Sequence, residues 1–165
     1  MEFFDHLKYL GMCWGEDGLL QLMTTLENKK TPKISKGDVT AHLEFKKLGV
    51  FLVFKDERFV KLPNKTLPEG SIVLTNISFY MNEKDGYKPY QGKLINGMTR
   101  NLSQKEAISL LGIPSNKKIN SLGEPIAAEE YRVMRWDQKD YTMFCSFSSD
   151  GGFSQFSLQL PPDQA

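Results

Sequence analysis

Tyr141–Leu160, YTMFCSFSSDGGFSQFSLQL, is the stretch from which the fold is read. Apolar residues recur at every second position, at Tyr141, Met143, Cys145 and Phe147, then at Phe156, Leu158 and Leu160. That period of two is the signature of β-strands with one buried face. Between the runs stands Ser148-Ser149-Asp150-Gly151-Gly152, a hairpin turn signal. Two strands joined so tightly are antiparallel.

Moving outward, Tyr131–Trp136 reads as a third strand, and Ser115–Glu130 as a long polar loop folded over a sheet edge. Before it lies Met98–Pro114, MTRNLSQKEAISLLGIP. Ser103 and Glu106 have the spacing of a capping box, in which each side chain satisfies the other's free backbone N–H. Ala107, Ile108 and Leu111 form an apolar stripe, Gly112 suits a left-handed C-cap, and Pro114 prevents continuation. This is a short helix made entirely of folding devices.

The first half follows a looser version of the plan. Phe3, Phe4, Leu7 and Leu10 share a helical face over residues 2–10, stopped by Gly11. Leu19, Leu22, Met23 and Leu26 share another behind the acids Glu16-Asp17, which suit a helix start. A basic loop, Asn28–Asp38, leads to the alternating Val39, Ala41, Leu43 and Phe45. Lys47–Phe54 reads as a central strand, with Phe59-Val60 extending the pairing after a turn at Asp56-Glu57-Arg58. Ile72–Met81 is the third strand of this half, and the two prolines of Leu62–Gly70 keep that loop out of the sheet. The fold class is therefore α+β: six to seven antiparallel strands with two or three short helices on one face.

Residues 1–165 read as one domain, with half-modules 1–81 and 97–160 joined by linker 82–96. Both halves contain a helix ending in Leu-Gly and then three strands, and both third strands carry a serine between apolar neighbours. Internal duplication and two unrelated but similar units both fit that pattern. A single sheet built from both halves would explain why neither has an obvious core of its own.

With 21 basic and 20 acidic residues the net charge is +1, which argues against a nucleic-acid binder relying on phosphate contacts. No window approaches a membrane span. The opening MEFFDHLKYL has acids where a signal peptide carries positive charge, and Cys13 follows no apolar run, so the expected location is cytoplasmic. Cys13 and Cys145 suggest two reduced, packed thiols, one long-range disulfide being the alternative. His6 and His42 have no ligands at metal spacing, and no hydrolase, phosphate-loop or dinucleotide motif occurs. No catalytic residue, metal site or cofactor is therefore expected. A Cys145–His42 or Cys145–His6 pair in a cleft between sheet and helices is the rival, enzymatic reading.

Acidic residues gather at turns and element ends. Asp56, Glu57, Glu83, Asp85, Asp137 and Asp140 would form a negative patch if they shared a face, and otherwise only solvate loops. Tyr80, Tyr87 and Tyr90 beside Glu83 and Asp85 have the composition of a binding hot spot, or else pack the linker onto the sheet.

Two stretches, GMTRNLSQKEAISLLGIP and YRVMRWDQKDYTMFCSFSSDGGFSQFSLQL, share an outline with small outer-membrane assembly lipoproteins, whose lipidated signal is not expected from the opening MEFFDHLKYL. An envelope-assembly adaptor is what that outline implies. The longer arrangement, with the strand Asn76–Tyr80, Tyr90-x-Gly92-x-Leu94 and Leu111-Gly112-x-Pro114, resembles immunity proteins of bacterial toxin systems. Those of pyocins and contact-dependent growth inhibition are the most similar, over roughly residues 40–160. The resemblance implies a cytoplasmic protein that blocks one cognate toxin domain, often a nuclease, and it carries over no binding residue. A toxin strand or hairpin added to a sheet edge is the expected mode, with acidic loops meeting a basic nuclease surface.

Overall fold

A computed structural model describes residues 6–164 of the chain. Helix α1 (Asp17–Thr25) precedes strands β1 (Thr40–Phe45), β2 (Val50–Asp56) and β3 (Ile72–Tyr80). Helix α2 (Gln104–Leu111) precedes β4 (Val133–Asp137), β5 (Thr142–Phe147) and β6 (Phe153–Gln159). All six strands form one antiparallel sheet in the order β1-β2-β3-β6-β5-β4. The fold is α+β, as its periodicities require, and each half contributes a three-strand meander that meets the other through β3 and β6.

Alternation decides which face is buried. Leu43, Leu52, Ile77, Leu158, Met143 and Trp136 lie side by side across the six strands, all buried. Leu19, Leu22 and Met23 of α1 and Ala107 of α2 join the same cluster, so both helices cover this one face. Fully buried Phe54, Phe79 and Phe156 anchor it, and truncating any of them to alanine removes about 3–5 kcal/mol. The next row across the sheet points the other way: Glu44, Phe51, Ser78, Ser157, Phe144 and Arg135. Val73 heads a smaller cluster at one end of this second face, with Cys13, Val60 and Leu160.

The two meanders match by an approximate twofold between β3 and β6. Ser78 faces Ser157 across it, their hydroxyls 2.8 Å apart. Each meander has a β-bulge, at Val53/Phe54 and at Ser146/Phe147. The extra residues are Thr75 and Ser154, whose hydroxyls donate to the carbonyls of Val53 (3.3 Å) and Ser146 (3.0 Å). Their carbonyls accept from the N–H groups of Leu160 (3.0 Å) and Met81 (2.9 Å). A bulge leaves one residue outside the ladder, and the same small hydroxyl repairs both defects.

Several local readings change. Phe3 and Phe4 lie outside the described residues; His6 and Leu7 are helical, and the chain then turns through Gly11. Residues 11–14 run beside the free part of β3, with the Gly11 N–H on the Leu74 carbonyl at 2.8 Å. The second strand starts at Val50 because Lys46–Leu48 form a 3₁₀ turn closed by Gly49 at φ 68. A Cβ at Gly49 would lie 2.4 Å from the Lys88 carbonyl oxygen, so the turn needs glycine for space as well as for φ. Phe59 does not extend the pairing: the Asp56 carboxylate accepts from the Arg58 N–H and starts a 3₁₀ turn instead. Gly112 has φ 85 but ψ −174, so α2 leaves by an extended exit rather than a left-handed helical one. The capping box is present as spelled, with Ser103 Oγ accepting from Glu106 N–H and the Glu106 carboxylate from Ser103 N–H.

Candidate functional site

A sheet ends in two edge strands, each with a row of backbone groups that face no partner strand. In β4 the chain covers them itself. The Ser115 N–H donates to the Arg135 carbonyl at 2.6 Å, and Ser115 Oγ accepts from the Asp137 N–H at 2.9 Å. Asn116 donates through Nδ2 to the Val133 carbonyl at 3.0 Å and accepts through Oδ1 from the Arg135 N–H at 2.9 Å. Two residues of the loop after α2 thus stand in for a seventh strand. The Trp136 indole N–H on the Gly112 carbonyl, at 3.0 Å, fixes where that loop departs.

Strand β1 is treated differently. The Asp56 N–H bonds to the Val39 carbonyl at 3.0 Å, which makes these two a hydrogen-bonded pair. By alternation Ala41–Phe54, Leu43–Leu52 and Phe45–Val50 are bonded pairs too, and the N–H and C=O groups of Thr40, His42 and Glu44 point outward. Among the described residues no other part of the chain bonds to them. His42 and Glu44 hold the places that Val133 and Arg135 hold in β4, so twofold-equivalent edges are masked on one side and open on the other.

A groove of about 770 Å³ runs along this open edge, between β1 and the C-terminal end of α1 with Lys30. It shares Thr25, Leu26, Lys47 and Leu48 with a second cavity of about 240 Å³ that reaches under α1 to Leu22, Leu52 and Ile77. Sequence periodicity reveals neither feature. The polarity of Ser115–Glu130 is the one sequence signal that bears on either edge.

The acids and tyrosines chosen from the sequence do not form one patch. Asp56 and Glu57 sit at the end of β2, whereas Tyr80 sits at the opposite end of the sheet, since Asp56 pairs with Ile72. Asp137 and Asp140 lie at and beyond the end of β4. Three of the six acids are paired locally: Asp56 with Arg58 (2.8 Å), Glu83 with Lys88 (2.7 Å) and Asp137 with Arg135 (3.1 Å). The Arg58 guanidinium and N–H hold the Asp56 carboxyl down to about 2. Glu57 accepts from the Gly70 N–H at 3.3 Å, and Asp85 takes φ 52 in the turn before Tyr87.

Tyr80 and Tyr87 do come together, stacked at 4.1 Å with the Lys46 ammonium 5.5 Å from the Tyr87 ring centre. Burial, then the carboxylate of Glu44, pushes the Tyr87 hydroxyl up. Tyr90 lies in the core against Phe79, ring centres 4.7 Å apart, and burial pushes its hydroxyl up to about 12. That position buries Tyr90 and sets it in the wall of the cavity under α1. It also explains the Tyr-x-Gly spacing, because a Cβ at Gly92 would fall 2.0 Å from the Tyr90 hydroxyl.

Cys13 and Cys145 are both free thiols. Cys145 is fully buried on the helix-covered face, where burial raises its thiol far above the ordinary range. His42 lies on the other face, and His6 is edge-on to Phe79 at 4.9 Å. The sheet itself separates Cys145 from His42. Among the described residues no cluster of His, Cys, Asp or Glu could hold a metal ion, and no helix is long and apolar enough to cross a membrane. No protein-family model, curated protein or solved structure matches this chain.

Proposed function

We propose that this chain is an immunity-type inhibitor, a cytoplasmic binding protein that takes a strand or hairpin of one cognate bacterial toxin domain onto β1 and blocks the toxin by occlusion. One observation carries the reading: of two equivalent sheet edges, the chain masks β4 with Ser115 and Asn116, and no described residue bonds to the outward backbone of β1, which lies beside a groove. A bare edge invites indiscriminate pairing, so a fold that holds the means to cover one edge and leaves the other free keeps it for a partner. Main-chain bonds along Thr40, His42 and Glu44 supply affinity, and the groove beside them supplies specificity. The inhibitor needs no chemistry of its own for this.

Proline substitution isolates the edge. At His42 and Glu44 proline deletes an outward N–H and leaves every bond to β2 in place, a strand setting where proline is tolerated. The test is growth of cells expressing the toxin encoded immediately upstream, with and without this chain. The wild-type chain rescues growth, and the folded double variant His42→Pro/Glu44→Pro loses most of that rescue. A wild-type chain that protects no cell from any neighbouring toxin contradicts the immunity reading, and full protection by the folded double variant contradicts the edge.

A further inference from the structure

The chemistry around β1 narrows what it can receive. Loop 28–39, which feeds β1, places Lys29, Lys30, Lys33 and Lys36 in solvent, and Lys47 follows at the far end of the strand. None of these five has an ion pair among the described residues. Glu44, the acid on the strand itself, is engaged by Lys46 at 3.7 Å. Of the six acids expected to face a partner, three are held by their own neighbours, Asp56 by Arg58, Glu83 by Lys88 and Asp137 by Arg135. Lys30 and Lys47 line the groove along β1 without an ion pair among the described residues, and with Lys46 they outnumber its two acids, Glu27 and Glu44, on a chain whose net charge is only +1.

Next to the hairpin turn the groove deepens into the apolar cavity of about 240 Å³, walled by Leu22, Leu26, Leu48, Val50 and Leu52. Leu48 at its mouth is 44% exposed. Cavities of this kind beside an open edge take an alternate side chain of the added strand.

Resting on the reading of this chain as an edge-binding inhibitor, we propose that the segment docked on β1 is an acidic extended strand of a protein, with one large apolar side chain that enters the socket between Leu26 and Leu48. This replaces the expectation of a basic nuclease surface: the strand that docks is not the partner's phosphate-binding face. Attraction between unpaired lysines and an acidic strand is screened by salt, so the affinity falls as ionic strength rises.

The test uses the full chain, isotope-labelled, with three synthetic eight-residue peptides: alternating glutamate and valine ending in phenylalanine, the same with lysine for glutamate, and the first with alanine for phenylalanine. The acidic phenylalanine peptide should shift the amides of Thr40, His42 and Glu44 and the methyls of Leu26 and Leu48. It should bind at least tenfold more tightly than the other two, and lose at least tenfold in the folded variant Lys30→Glu/Lys47→Glu. Equal binding of the lysine peptide, shifts confined to other strands, or the same shifts produced by a single-stranded oligonucleotide overturn the proposal. A chain that rescues cells but ignores the acidic peptide loses this inference and keeps the immunity reading. Peptide binding without rescue does the reverse.

Discussion

Asp56 shows how much of a charged residue's role is set by the residue two places on. Its carboxylate takes the Arg58 guanidinium at 2.8 and 2.9 Å and the Arg58 N–H at 3.0 Å. Those bonds favour the ionised form, so its value falls from 3.8 to about 2. A group whose folded value is depressed stabilises the fold above its ordinary value and loses that contribution as pH falls through the folded one. The urea midpoint should therefore drop between about pH 4 and pH 2, and the drop should be smaller in Asp56→Asn, which keeps the turn geometry without the charge. Gly92 gives a second test. Gly92→Ala drives a methyl into the Tyr90 ring, where ζ carbon and hydroxyl stand 2.2 and 2.0 Å from the added Cβ. Overpacking of this kind costs about 1–3 kcal/mol, read as a lowered urea midpoint at unchanged slope. The sequence displays both residues, yet only the folded chain says that Asp56 faces its own arginine and Tyr90 its own glycine.

At the scale of elements, the readings that held were those with local causes. The capping box of α2, the hairpin at Ser148–Gly152 and the alternation of β5 and β6 depend on residues within a few positions of one another. Lys46–Leu48 escaped because an apolar run looks the same in a strand and in a turn, and the deciding contact, Gly49 against Lys88, is some forty residues away in the chain. The masking of β4 is likewise a long-range fact, although a loop over an edge was legible from the polarity of Ser115–Glu130. Asn116→Ala removes both side-chain bonds to β4, leaving the Val133 carbonyl and the Arg135 N–H bare. We expect Asn116→Ala to stay folded but to self-associate, with sedimentation velocity showing dimers or larger species where the parent chain sediments as one species. An unchanged sedimentation profile would mean that Asn116 does not protect this edge.

For the whole molecule, symmetry and its breaking carry the meaning. The halves agree down to matching bulges, hydroxyl repairs and a serine pair on the axis. The sequence hinted at this through serines in both third strands, but the register equating Thr75 with Ser154 exists only once the strands pair. Against that agreement one difference stands out: among the described residues a loop bonds to the outward backbone of β4 and none bonds to that of β1. The candidate site was thus barely legible, because it consists of outward backbone groups that every residue type possesses. Of the acids and tyrosines, Tyr80, Glu83, Asp85 and Tyr87 share one corner of the fold, and Asp56 and Glu57 lie at the opposite end of the sheet.

Amide hydrogen exchange of the chain, alone and bound to the toxin encoded beside it, reads those backbone groups directly. The His42 and Glu44 amides should exchange quickly in the free protein and slow by at least a hundredfold in the complex, with Ala41 and Leu43 protected in both. Unchanged fast exchange at His42 and Glu44 in a saturated complex, with new protection elsewhere, for example over residues 80–90, would contradict docking on β1.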